Sequence, residues 1–211
     1  MYGLPQSTEC KKQLPKKAIF AKFDLKPPQR ESFDADIARI DIVAAVSPLT
    51  VPALAVGEEV KEFYVLAVQM KRKEYDSKNI ALLTKLIPQK MVLSLHYGDE
   101  VQLAIYHTKV ITSAWHNVIL NETACSEESQ RKQLLTLQGL TLDVVWENIV
   151  KSIGRIDVAS GNTLTEQIAA NDQRAKLLAQ IATLERKMAI EKQPRRKREY
   201  FEQIKKLKTI I

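Results

Sequence analysis

KEFYVLAVQMKRK, residues 61–73, decides how the chain is read. Phe63 to Met70 is an eight-residue run in which only Gln69 is polar, with Lys61-Glu62 before it and Lys71-Arg72-Lys73 after it. Eight residues is strand length. An almost unbroken apolar run means burial on both faces, so a central strand of a sheet is predicted here.

Upstream, the β-branched stretch Ile40 to Val46 reads as a second strand, stopped by Ser47-Pro48. Before it, Pro27-Pro28 and the spacing of Phe33, Ile37 and Ile40 predict a short amphipathic helix packed on the sheet. Downstream, Asp76 or Ser77 caps a helix running to about Ile87, with Ile80, Leu83 and Ile87 on one face and Pro88 as its stop. Met91 to Tyr97 and Val101 to His107 form a hairpin around Gly98-Asp99-Glu100. A three-residue loop pairing Tyr97 with Val101 keeps Met91, Leu93, Leu95, Tyr97, Val101, Leu103 and Ile105 on one side, and is preferred for that reason. Asn121 to Arg131 is polar and aperiodic, the composition of a flexible surface loop, and Leu134 to Leu137 supplies one more short strand. Thr141 then caps a helix that buries Leu142, Val145, Trp146, Ile149 and Ile153 and closes at Gly154. The fold class is α/β (α+β), a mixed sheet with packed helices over residues 1–158.

Gly161-Asn162 breaks the chain, and Thr163-Leu164-Thr165-Glu166 is a capping box that opens a long helix. Leu177, Ile181, Leu184 and Met188 follow the four-three-four spacing of a coiled-coil seam, Pro194 interrupts it, and Tyr200, Ile204, Leu207 and Ile211 resume it. Residues 159–211 therefore make a C-terminal helical arm, either a kinked coiled coil or an antiparallel helical hairpin turning near Gln193-Pro194. Each half spans about two heptads, too short to stand alone in water, so each needs a partner.

The net charge of +7 resides in this arm. Between Arg186 and Lys208 ten basic residues (Arg186, Lys187, Lys192, Arg195, Arg196, Lys197, Arg198, Lys205, Lys206 and Lys208) face three acidic ones, Glu191, Glu199 and Glu202. A second basic stretch, Lys11 to Arg30, leaves the middle of the chain acidic. Such asymmetry points to a polyanion or an acidic protein surface, beside the plainer reading of a solvated helix face. Tyr200 and Phe201 adjoin the densest cluster, but Tyr200 falls on the seam and is read as packing rather than base stacking.

No recognisable catalytic site emerges. Six glycines form neither a P-loop nor a dinucleotide turn, there is no Gly-x-Ser-x-Gly elbow, and Cys10 and Cys125 lack ligand-spaced neighbours. The register above sets His96 and His107 on opposite faces, with His116 beyond the next turn, so the histidines are expected not to converge. No metal or cofactor is expected. The weak catalytic candidates are Gln69 and Lys71, standing where a metal-dependent nuclease of the Asp…(Glu/Gln)-x-Lys type would carry its Glu and Lys; a neutral Gln is a poor ligand for a hard cation. No apolar run reaches the roughly 20 residues of a membrane span, and Met1 to Lys12 lacks the apolar segment of a signal peptide, so a cytoplasmic protein is expected.

The stretches MYGLPQSTEC, PKKAIFAKF, EVKEFYVLAVQMKRKEYDSKNIALLTKLI, AIYHTKV, LDVVWENIV and GNTLTEQIAANDQRAKLL resemble the bacterial domain-of-unknown-function family 4391 over nearly the whole length. The resemblance carries no catalytic residues. It implies a setting: companions of restriction-modification genes in anti-phage defence clusters, beside a DNA helicase or DNA methyltransferase. The expectation is a non-enzymatic accessory subunit that binds DNA or such a partner through its basic arm. A metal-dependent nuclease-like domain using Lys71, active or inactive, and a self-associating protein paired through the arm are the alternatives.

Overall fold

The computed structural model describes residues 2–117, 135–158 and 161–210. Contacts divide the chain into two compact units, Met1–Asp157 and Val158–Ile211.

The first unit is built on a mixed seven-stranded sheet in the order β1-β2-β3-β4-β5-β6, with β7 also on β5. The strands are β1 (Glu9–Gln13), β2 (Ile37–Val46), β3 (Phe63–Met70), β4 (Lys90–Tyr97), β5 (Glu100–Tyr106), β6 (Val110–Thr112) and β7 (His116–Asn117). The predicted central strand is β3, flanked antiparallel by β2 and parallel by β4. Its apolar run is explained by cover on both faces. On one, Leu66, Val68 and Met70 join Ile40, Ile42, Leu93 and Leu95 beneath Ile19 of helix α1 (Lys16–Lys22), Phe33 of α2 (Pro27–Asp36), and Ile80 and Leu83 of α3 (Ser77–Leu83). On the other, Phe63 meets Trp146 of α4 (Leu142–Gly154), ring centroids 5.6 Å apart. Each large side chain buried this way contributes about 1.5–3 kcal/mol.

Several sequence expectations need correcting. The helix read through Phe33, Ile37 and Ile40 stops at Asp36; Ile37 and Ile40 are buried strand residues of β2. The β-branched stretch captures those positions, and their helical spacing is incidental. The α3 helix keeps its Asp76 cap but ends at Leu83, with Lys85 and Leu86 held by tight turns to Leu82 and Leu83 rather than by a continued helix. The hairpin pairs Tyr97 with Glu100 and His96 with Val101, leaving a two-residue loop, Gly98-Asp99. One-sided burial was the wrong criterion, because Val92 to Leu95 and Val101 to Ile105 are nearly all buried whichever face they take. Gly98, with φ of +55°, supplies the backbone such a short loop requires. Residues 135–137 are not strand: Leu135 donates one backbone bond to Tyr2 and is buried singly. Leu134 and the 121–131 loop lie outside the described residues. Strand β1, helix α1 and the short strands β6 and β7 carry no clear periodic signal and were not anticipated.

The N-terminal lysines divide between solvent-facing and structural positions. Lys11 and Lys12 stand exposed on the outermost strand, β1. Lys16 donates to Asp34 and to the carbonyl of Ile37, and Lys22 to the carbonyl of Leu86.

Two carboxylates tie the layers together. Asp36, at the end of α2, is fully buried and accepts from the Arg72 guanidinium, the Asp76 backbone N–H at 2.9 Å and the Asn79 amide at 2.7 Å. It thereby joins α2, the end of β3 and the start of α3, with Arg72 as the anchor just past the strand. Asp143 in the first turn of α4 accepts from the N–H groups of Glu58 at 2.6 Å and Val60 at 2.8 Å. Gly57 is required beside it, since a Cβ there would lie 2.2 Å from a carboxylate oxygen.

Asp36→Ala leaves the Arg72, Asn79 and Asp76 donors unmatched and is expected to cost about 3 kcal/mol in urea unfolding. Gly57→Ala should cost about 1–2 kcal/mol by expelling Asp143 from its turn, with the Asp143→Ala, Gly57→Ala double variant less than additive.

Candidate functional site

Beyond Val65 and Val92 the second face of the sheet turns polar. In register, Asp41 lies opposite Ala67 and Arg39 opposite Gln69 across β2 and β3, Gln69 lies beside His96 on β4, and Val101 on β5 has His96 on one side and His116 on the other. Directly paired residues project to the same face, so Arg39, Asp41, Gln69, His96 and His116 share it.

Two histidines are therefore brought closer than the sequence register implied. His96 and His116 both flank Val101, about 10 Å apart at two strand spacings. His107 is kept away by strand length, not by facing oppositely: it follows Tyr106 at the far end of β5.

His96 is the best-defined polar group on this face. Its Nε2 is 2.8 Å from the Tyr2 hydroxyl and 3.0 Å from the hydroxyl of the fully buried Ser94. Burial lowers the His96 pKa below the usual 6.5, so the ring is neutral at pH 7, and burial raises that of the Tyr2 hydroxyl. Tyr2 itself holds a left-handed backbone, φ 58°, of the kind non-glycine residues adopt at a cost of about 1 kcal/mol, and its carbonyl accepts from Leu135. The three side chains form a hydrogen-bonded anchor for the N-terminal segment. Neither Tyr2 nor Ser94 carries a sequence motif; only the pairing of distant segments reveals them.

The nuclease-like candidates are placed as follows. Gln69 is exposed and donates to the carbonyl of His96 at 3.4 Å, and Lys71 is exposed just beyond β3. Asp41, the acid nearest in register, is engaged by Arg39 at 2.7 Å. Among the described residues no group of three or more His, Cys, Asp or Glu side chains is arranged to hold a metal ion.

The second unit is two helices, α5 (Leu164–Ile190) and α6 (Pro194–Ile210). Thr163 and Glu166 form the capping box reciprocally, 2.8 Å and 3.3 Å. The helices turn back at Glu191–Gln193 and pair antiparallel, with Lys208 of α6 bonded to Glu185 of α5 at 3.0 Å, so the arm is the hairpin of the two alternatives. The seam residues face inward: Ile181 and Ile204 are buried, while Leu177, Leu184, Met188, Tyr200 and Leu207 are half-buried.

On α6, at 100° per residue, Arg195, Arg198 and Lys205 occupy the sector opposite Tyr200, Ile204 and Leu207, and Lys206 lies to one flank, beside the groove between the helices. Arg195 and Arg198 are 92% and 84% exposed, with Glu199 and Glu202 one turn on at 3.5 Å. Such exposed pairs are worth a few tenths of a kcal/mol and are readily exchanged for another anion. Arg196 and Lys208 lie nearer the pairing side, with Glu191 at 3.8 Å and Glu185 respectively. For Arg186, Lys187, Lys192, Lys197, Lys205 and Lys206 no ion pair is found among the described residues, and all six are exposed. The Glu191 carboxyl is held below its usual range by the N–H of Gln193, with Lys192 N–H, Arg196 and Lys197 adding to it against some desolvation.

A mixed α/β sheet unit joined to a basic helical hairpin defines the class of protein. The chain belongs to the family described as Domain of unknown function (DUF4391), which matches residues 2–211. No curated protein and no solved structure matches it. Among the described residues no helix is long and apolar enough to cross a membrane.

Because the folded state resists protonation of His96 while the unfolded chain takes up a proton near pH 6.5, stability is expected to fall as pH drops below that value. In urea unfolding at pH 7.5 and 5.5, His96→Gln should lose less stability on acidification than the parent chain. Equal losses would show that His96 is not held neutral.

Proposed function

We propose that this protein is a non-catalytic binding subunit that grips the phosphate backbone of DNA with the outward face of α6. The observation that carries the reading is the separation of surfaces on that helix: Tyr200, Ile204 and Leu207 are spent on pairing with α5, so Arg195, Arg198 and Lys205 project from the opposite side. Cations fixed along one ridge of a helix suit phosphates that recur along a strand, and contact of this kind confers affinity without sequence choice. Support also comes from the weakness of the ion pairs these arginines surrender on binding.

In this reading the sheet unit docks on a larger DNA-processing protein, a helicase or a methyltransferase, while the arm holds the duplex. The nuclease alternative is less well supported, since Asp41 is occupied by Arg39 and Gln69 offers no charge to a cation. It predicts magnesium-dependent cleavage lost in Lys71→Ala. Pairing of the arm with a second copy is also less favoured, because it would bring two basic faces together.

Binding of labelled duplex DNA by the full chain should weaken steeply with salt. The triple variant Arg195→Gln, Arg198→Gln, Lys205→Gln should lose about a hundredfold in affinity at low salt and flatten the log–log salt slope by about 2–3. An unchanged slope would refute the assignment, and a concentration-dependent mass in sedimentation without DNA would favour self-association.

A further inference from the structure

The two flanks of the helical hairpin differ. Glu185 and Lys208 close one flank by bonding across the pair at 3.0 Å. Lys187, two residues beyond Glu185, lies about 200° further round α5 and so belongs to the other flank. There a groove of about 580 Å³ runs between the helices, with Ala179, Thr183, Leu184 and Leu207 along its floor and walls and Lys187 and Lys206 on its two rims. Where the closed flank sets acid against base, the open one carries a lysine on each helix, and among the described residues no carboxylate is ion-paired to either.

We propose that this groove binds an acidic amphipathic helix of a partner protein, laid along the pair as a third strand of a helical bundle. Its apolar stripe covers Leu184 and Leu207, which two helices alone leave half-exposed, and its flanking carboxylates sit between Lys187 and Lys206. The like charges on opposite rims repel one another in the free protein and become attractive once an anionic group lies between them. An apolar floor is wasted on a phosphate backbone, which separates this groove from the outward face of α6. A second copy of the arm is disfavoured because it would add its own lysines to those already there.

The test uses the full chain and two fluorescein-labelled peptides of about 21 residues, each helical with leucine at the seam positions, one flanked by glutamate and the other by lysine. The glutamate peptide is expected to bind at least tenfold more tightly than the lysine peptide. Lys187→Glu with Lys206→Glu, both at exposed positions, should reverse that preference, and Ala179→Glu should weaken the glutamate peptide by placing a like charge in the groove wall. Circular dichroism confirms that the hairpin persists in each variant. Arg198→Gln with Lys205→Gln should leave peptide affinity within twofold while weakening DNA, so this proposal and the DNA-binding one fail separately. Equal binding of the two peptides, or binding of neither at 100 times the protein concentration, overturns the proposal. So does a monomer–dimer equilibrium shifted by the Lys187→Glu, Lys206→Glu pair, which would assign the groove to a second copy, or loss of DNA binding in that pair with no peptide bound, which would assign it to phosphate.

Discussion

Burial of the central strands on both faces is the constraint from which the rest of the first unit follows. Once Phe63 to Met70 is apolar on both sides, a layer must cover each, and the chain supplies α1, α2 and α3 to one and α4 to the other. The parallel step from β3 to β4 is a consequence, since such a step needs a crossover, and α3 lies within it. The polar end of the second face marks where this covering changes character. Past Val65 and Val92 the outward positions become Gln69 and His96, and the N-terminal Tyr2 is hydrogen-bonded to His96 there.

Hydrogen-bonded carboxylates hold these layers in register where apolar contact alone would let them slide. Asp36 has three donors converging on it from the end of β3 and the start of α3, and a carboxylate so surrounded tolerates little displacement of either. Asp143 acts similarly on the opposite face, fastening the turn before β3 to the start of α4; its carboxyl stays below the ordinary range because, against some desolvation, the N–H groups of Val60, Glu58 and Glu59 all favour the charged form. Each is a specific peg in an otherwise non-directional packing.

What could be read from the sequence was whatever depends on neighbours in the chain. Strand β3, the Asp76 and Thr141 caps, the buried side of α4 and the capping box at Thr163 are local, and all are observed as expected. The arm's seam was legible for the same reason, although choosing a hairpin over a kinked rod required the Glu185–Lys208 contact across 23 positions. What was not legible depends on distant segments meeting. The Gly98-Asp99 loop was misjudged because the cover over its strands comes from α4 and from the far N-terminal part of the chain. The Asp36–Arg72 contact likewise joins residues 36 positions apart that only the fold brings together. The Tyr2, Ser94 and His96 contacts could not have been found from spacing, with 94 positions separating the ends of the first hydrogen bond.

The margin of the sheet formed by β1 has a bearing on how the protein behaves in bulk. An unpaired strand margin is a template on which another chain can add, and long regular margins seed fibrous growth. Here the margin is five residues long, its register with β2 breaks between Glu9 and Lys12, and Lys11 and Lys12 stand on it in solvent. Aligning two such margins would juxtapose four ammonium groups on a ladder already interrupted. Crowding therefore multiplies repulsion rather than sheet length, a colloidal safeguard in a chain that already carries a net charge of +7.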